Sequence, residues 1–255
     1  MDARLRAAAE RRDAGTTMTE MVVVMLIMSI VVVTTVSLTI SLGRTTAQNT
    51  ARQDQIDVGR IAVERLTKTT RTAVKPSQLQ PTCDTACGEV DAFLQGGSYS
   101  MKFYANLDNL SNLVGPSQIT YTLATTGTDA GVLVEKVQTP DPVAVPGNPP
   151  PTGYTYCNAE ATGATGACKS RLTVRRLATG VQTATPVFTY YQANGDPLPA
   201  AASGLTADQL EKVMAIEVRL TVQSPSASAP GSTTYIQRIT LPNAQAILQG
   251  EDETP

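Results

Sequence analysis

Residues 21–42, MVVVMLIMSIVVVTTVSLTISL, are 22 consecutive positions without a charged side chain. As a helix rising 1.5 Å per residue they would span about 33 Å, enough for the hydrocarbon core of a bilayer. Arg4, Arg6, Arg11 and Arg12 precede the run, and the nearest cations after it are Arg44 and Arg52. That excess of arginine predicts a cytoplasmic N-terminus and an exported C-terminal bulk. A removable secretory signal has the same order of basic, apolar and polar regions, but its apolar core is shorter and is followed by small residues at the cut. Here the first such candidate beyond the run, Thr45-Thr46-Ala47, is weak, and Gly15 lies on the opposite side.

Gly15 is followed by Thr16-Thr17-Met18-Thr19-Glu20, and then at once by the apolar run. This arrangement resembles the N-terminus of type IV pilins and pseudopilins. The resemblance implies that a membrane-embedded prepilin peptidase cuts between Gly15 and Thr16 on the cytoplasmic face. It further implies that Thr16 becomes the methylated first residue and Glu20 the fifth residue of the mature chain. The family usually has Phe or Met first, so Thr16 is a departure; Thr17 matches the common second residue. An ionised carboxylate at hydrocarbon depth is costly unless paired. Cleavage would create an amine four residues from Glu20, and in a stacked filament the amine of one subunit could meet Glu20 of the next. At the end of a helix in a single subunit, the same acid is favoured by the helix dipole.

The rest of the composition narrows the function. The chain has 255 residues, no His, no Trp, 4% aromatic residues and a net charge of −2. Without His the commonest general base and metal ligand are missing. With few aromatic residues and no basic excess, there is no base-stacking surface or global field for nucleic acid. No G-x-S-x-G, P-loop, paired-His or GxGxxG motif occurs, and Asp91, Asp108 and Asp129 lack calcium-loop spacing. We therefore expect no catalytic residues, no metal and no cofactor, and a chain that is not an enzyme. Cys83, Cys87, Cys157 and Cys168 all lie on the expected oxidising side, where disulfides persist. Three pairings are open. Local pairing, Cys83 with Cys87 and Cys157 with Cys168, suits the loop-like stretches that hold them, whereas the spacings fit a four-thiolate zinc site poorly.

No Pro intervenes between the apolar run and Pro76, so one helix over residues 17–73 is expected. Ile56, Val63 and Leu66, with Gly59 and Ala73, lay an apolar stripe along its outer half. Strands follow by alternation: Tyr99, Met101 and Phe103; Ile119, Tyr121 and Leu123; residues 132–137; Leu172 and Val174; PVFTYYQANGDPL; and Ile216, Val218, Leu220 and Val222 facing residues 233–241. A short helix begins at Thr206, an N-cap threonine. One long helix followed by antiparallel strands predicts an α+β fold with the helix packed on a sheet, in agreement with the pilin fold. The expected organisation is a cleaved leader (1–15), a transmembrane helix (16–43), an amphipathic continuation (44–75) and a β-rich head (76–255) with a Pro-rich loop (139–153). Hydroxyls at Thr34, Thr35, Ser37, Thr39 and Ser41 are expected to bond back to helical carbonyls. Asn109-Leu110-Ser111 fits a glycosylation sequon, although so short a motif recurs by chance.

The order of elements over the last 70 residues or so resembles J-type minor pseudopilins and related minor pilins. The expected function is thus a structural subunit in the bacterial cytoplasmic membrane, single-pass with an exported head. It would be processed by prepilin peptidase and assembled with other subunits into a filament, or at its tip, for secretion, DNA uptake or adhesion. The alternative is an anchored extracellular binding protein or adhesin that never polymerises.

Overall fold

The computed structural model describes residues 17–79, 91–144, 153–201, 203–224 and 231–242. The leader, Gly15, Thr16, Cys83, Cys87, most of the Pro-rich loop and the acidic C-terminus lie outside the described residues. Two compact units divide between Thr50 and Ala51. A helix, α1 (Met18–Thr70), contributes its first 33 described positions (18–50) to one unit and its last turns to the other.

Within the first unit α1 is exposed along its whole length, large apolar side chains included. It is one helix long and apolar enough to cross a membrane. Water penalises such a surface and lipid does not, because every backbone polar group is already bonded inside the helix.

The second unit is α+β. The last turns of α1 pack on a five-stranded antiparallel meander: β1 (Phe93–Gly96), β2 (Ser100–Ala105), β3 (Ser117–Leu123), β4 (Leu133–Gln138) and β5 (Leu172–Ala178), in spatial order β1-β2-β3-β4-β5. A second antiparallel sheet has the order β7-β6-β8-β9, from β6 (Phe188–Tyr191), β7 (Pro197–Leu198), β8 (Ala215–Val222) and β9 (Thr233–Thr240). The expected α+β arrangement of a long helix packed on antiparallel sheet is thus present, with the strands divided between two sheets. The sheets share one core, in which Ala62 and Leu66 of α1 join Phe103, Tyr121, Leu133, Tyr190, Ile216, Leu220 and Ile239. Among the described residues three short α-helices, α2 (Pro76–Leu79), α3 (Gly166–Lys169) and α4 (Ala207–Glu211), and one 3-10 turn (Leu110–Asn112) complete the fold.

Local sequence accounts for most of these elements. In β8 the inward positions are Ile216, Val218, Leu220 and Val222, all buried, while Arg219 faces solvent. The partner β9 pairs in register from Ala215–Thr240 to Val222–Thr233. Asn194-Gly195 turns the chain between β6 and β7, with Gly195 at φ 86°, a conformation that favours glycine. Thr206 caps α4, and its N–H donates to Gln209 Oε1 at 2.9 Å.

Two expectations need correction. The face of α1 that enters the head is Ala51, Gln55, Gly59, Ala62, Leu66, Thr69 and Thr70, whereas Ile56 is 38% exposed. At Gly59 the ring of Tyr235 in β9 lies directly against the helix, and its O–H bonds to Ile56 C=O, while the bulkier Ile56 side chain stays at the margin. β5 forms as expected, but Val174 is 53% exposed because it lies on the outer face of an edge strand.

Candidate functional site

The first candidate region is the start of α1. Thr17 C=O accepts from the N–H groups of Glu20 and Met21 at 3.0 and 3.2 Å, closing the opening turn. Glu20 therefore occupies that turn, where free N–H groups and the helix dipole favour a carboxylate. Gly15 and Thr16, its partners in the sequence motif, lie outside the described residues. Further along, Thr34 donates to the carbonyls of Ile30 and Val31, Thr35 to Val31 at 2.7 Å and Thr39 to Thr35 at 2.9 Å. Ser29, Thr45, Thr46 and Thr50 do the same. These hydroxyls are thereby satisfied within the helix, which lets an apolar span carry polar residues, whereas Ser37 and Ser41, expected to do the same, make no such bond among the described residues.

The second region ties α1 to the five-stranded sheet. In β4 the side chains of Leu133, Glu135 and Val137 are buried and those between them are less so, which turns a carboxylate into the core. Glu135 is fully buried, and it lies between Tyr121 of β3 and Arg175 of β5 in one cross-strand row. Tyr121 O–H donates to Glu135 Oε1 at 2.8 Å, and Arg175 Nη1 to Oε2 at 3.3 Å. From α1, Arg65 Nε donates to both oxygens at 3.1 and 3.3 Å, and Thr69 Oγ1 to Oε1 at 3.4 Å. The carboxylate holds the Arg65 guanidinium above its ordinary pKa, and burial pushes the Tyr121 phenol well above its own. Four donors on three elements thus satisfy one buried charge, fixing the rotation of α1 against the sheet.

The third region is the outer face of the same sheet. Lys102, Thr120 and Lys136 form a cross-strand row on β2, β3 and β4. A loop that returns over this face is closed by the disulfide between Cys157 and Cys168, with Cα atoms 6.0 Å apart. This is one of the two local pairings read from the sequence; the other, Cys83 with Cys87, lies outside the described residues. Gln138 Nε2 donates to Cys157 C=O, and Tyr156 O–H to Pro116 C=O at 2.5 Å. Between loop and sheet is a pocket of about 370 Å³.

The acidic residues noted in the sequence are dispersed: Asp91 pairs with Lys75 at 3.8 Å and Asp129 with Arg176. No cluster of metal-ligating residues occurs among the described residues. Asn109 works inside its own loop, its Oδ1 accepting from the N–H groups of Val114 and Gly115 at 3.0 and 2.9 Å. The Glu135 cluster was not anticipated, although the alternation of residues 132–137 already sets Glu135 on the side of Leu133 and Val137. No protein-family profile, curated protein or solved structure matches the chain.

Proposed function

We propose that the chain is a pilin-like structural subunit: a minor pilin or pseudopilin, cut after Gly15 by prepilin peptidase and held in the cytoplasmic membrane by α1. The observation that carries this reading is Glu20 in the first turn of α1, five residues after Gly15 and immediately ahead of 22 uncharged, exposed positions. An exposed apolar surface of that length needs lipid or other helices against it. The amine released at Thr16 would supply a partner for Glu20, which has none among the described residues. In a filament that amine comes from a neighbouring subunit, so the pair sets the axial register as well as neutralising both charges.

The test is co-expression with a prepilin peptidase, followed by mass spectrometry of the mature N-terminus and cross-linking of assembled subunits. A chain beginning at Thr16, with a methyl group on its amine, is expected. Glu20→Ala is expected to insert and fold normally yet to lose incorporation into filaments. A mature chain starting downstream of the apolar run, or undiminished assembly of Glu20→Ala, would overturn the proposal.

A further inference from the structure

The pocket on the outer face of the five-stranded sheet has the features of a ligand site. At about 370 Å³ it lies near the lower end of the range for small-molecule pockets, roughly 300–1,000 Å³. Unlike most such pockets, its walls are chiefly polar: Lys102, Thr120, Lys136, Gln138, Asn158 and Glu160 contribute to them. The two lysines flank Thr120 across two strand spacings, about 10 Å. They are not equivalent. Lys136 Nζ donates to both Glu160 oxygens, at 2.6 and 2.9 Å. Lys102 has no hydrogen-bond or ion-pair partner among the described residues, yet it is half-buried, and that burial lowers its pKa.

A partly desolvated ammonium without a counter-charge is unfavourable in the empty protein and becomes favourable once an anion arrives. Counting Lys102, Lys136 and Glu160, the pocket carries one net positive charge, which suits a ligand with one negative charge. Hydroxyl, amide and carboxylate groups around it suit a ligand rich in hydroxyls and offer little to an apolar one. Cys157 lines the pocket, and its bond to Cys168 in α3 fixes the wall covalently, so the site is preorganised.

We propose that this pocket binds a single acidic monosaccharide, with the sugar carboxylate on Lys102 and its hydroxyls on the polar groups of β3, β4 and the disulfide-closed loop. The site belongs to the head alone and is independent of how α1 assembles. Its test is calorimetric titration of the full chain in detergent micelles with D-glucuronate, D-glucose and inorganic phosphate. Glucuronate should bind saturably, with glucose and phosphate each weaker by roughly tenfold or more, as expected for loss of a charge-assisted hydrogen bond or of the hydroxyl set. Lys102→Met should weaken glucuronate by a similar factor, and Lys102→Arg should retain most of the affinity. NMR of lysines carrying ¹³C-methyl labels provides a readout in the unsubstituted chain, where glucuronate should shift the Lys102 signal and glucose should not. Absence of saturable glucuronate binding, or equal affinity for glucose, would overturn the proposal. So would phosphate binding as tightly as glucuronate, because the pocket would then read charge alone.

Discussion

Glu135 is the residue on which the attachment of α1 to the sheet depends most. Its carboxylate is fully buried, while its partners Arg65 and Arg175 keep 31% and 51% of their side-chain surface in water. Removing the carboxylate and removing one guanidinium therefore have different consequences. In Arg65→Met, Glu135 still accepts from Tyr121 and Arg175, so the expected cost is about 1–2 kcal/mol. In Glu135→Gln the charge facing two guanidinium groups is lost and one oxygen becomes an NH2 from which neither Arg65 nor Arg175 can accept, so the expected cost rises to about 2–3 kcal/mol. Urea unfolding of the full chain, followed by tyrosine fluorescence since Trp is absent, measures both. Equal midpoints for the two variants would mean that Arg65 carries the whole interaction. The sequence contains half of this device. Alternation turns Glu135 inward, but nothing local connects it to Arg65, 70 positions earlier. That pairing exists only once the helix lies on the sheet.

At the scale of elements, the contact between α1 and β9 is set by what is missing from Gly59. A Cβ built there would lie 2.6 Å from Tyr235 Cδ2 and closer still to Cε2. The same Tyr235 donates its O–H to Ile56 C=O at 2.9 Å, which holds the ring across the helix. Gly in a helix interior is disfavoured relative to Ala by about 1 kcal/mol, so its presence needs such a reason. Gly59→Ala should destabilise the chain by about 1–2 kcal/mol, because displacing the ring loses both packing and the hydrogen bond. In a Tyr235→Ala background the same substitution should be neutral or stabilising by up to about 1 kcal/mol. A thermal-melt double-mutant cycle reads the change of sign; the same effect in both backgrounds would show that Tyr235 does not set the approach. This contact also explains which elements the sequence disclosed. Strands β2, β3, β4 and β8 follow from alternation, because alternate side chains go to the core, and β9 follows as the partner that β8 needs. The short β1 carries no such pattern, and the assumed stripe through Ile56 fails because close packing selects small residues over large ones.

The whole chain combines a helix with no buried residue before Ala51 and a head that holds every buried residue among those described. That division is legible in the sequence, since an uncharged run of 22 residues and a region of alternating strands obey different hydrophobic periods. Which residues ionise within the head is less legible, because it depends on burial. With no His, no side chain has an ordinary pKa between about pH 5 and 8, so the head lacks the usual titrating group in that interval. At alkaline pH its buried tyrosines contribute the largest shifts. Burial raises the phenols of Tyr121, Tyr156 and Tyr190 far above their usual value, with Tyr121 also facing the Glu135 charge and Tyr156 the other phenols near it. In the unfolded chain these three lose their protons near pH 10. Above that pH the unfolded state holds fewer protons than the folded one, so stability falls as pH rises; below it their contribution is complete and constant. Absorbance at the phenolate band should therefore show these three of the eight tyrosines ionising only together with the loss of near-ultraviolet circular dichroism. Ionisation of all eight in one step, with the dichroism intact, would mean that the core of the head admits the phenolate.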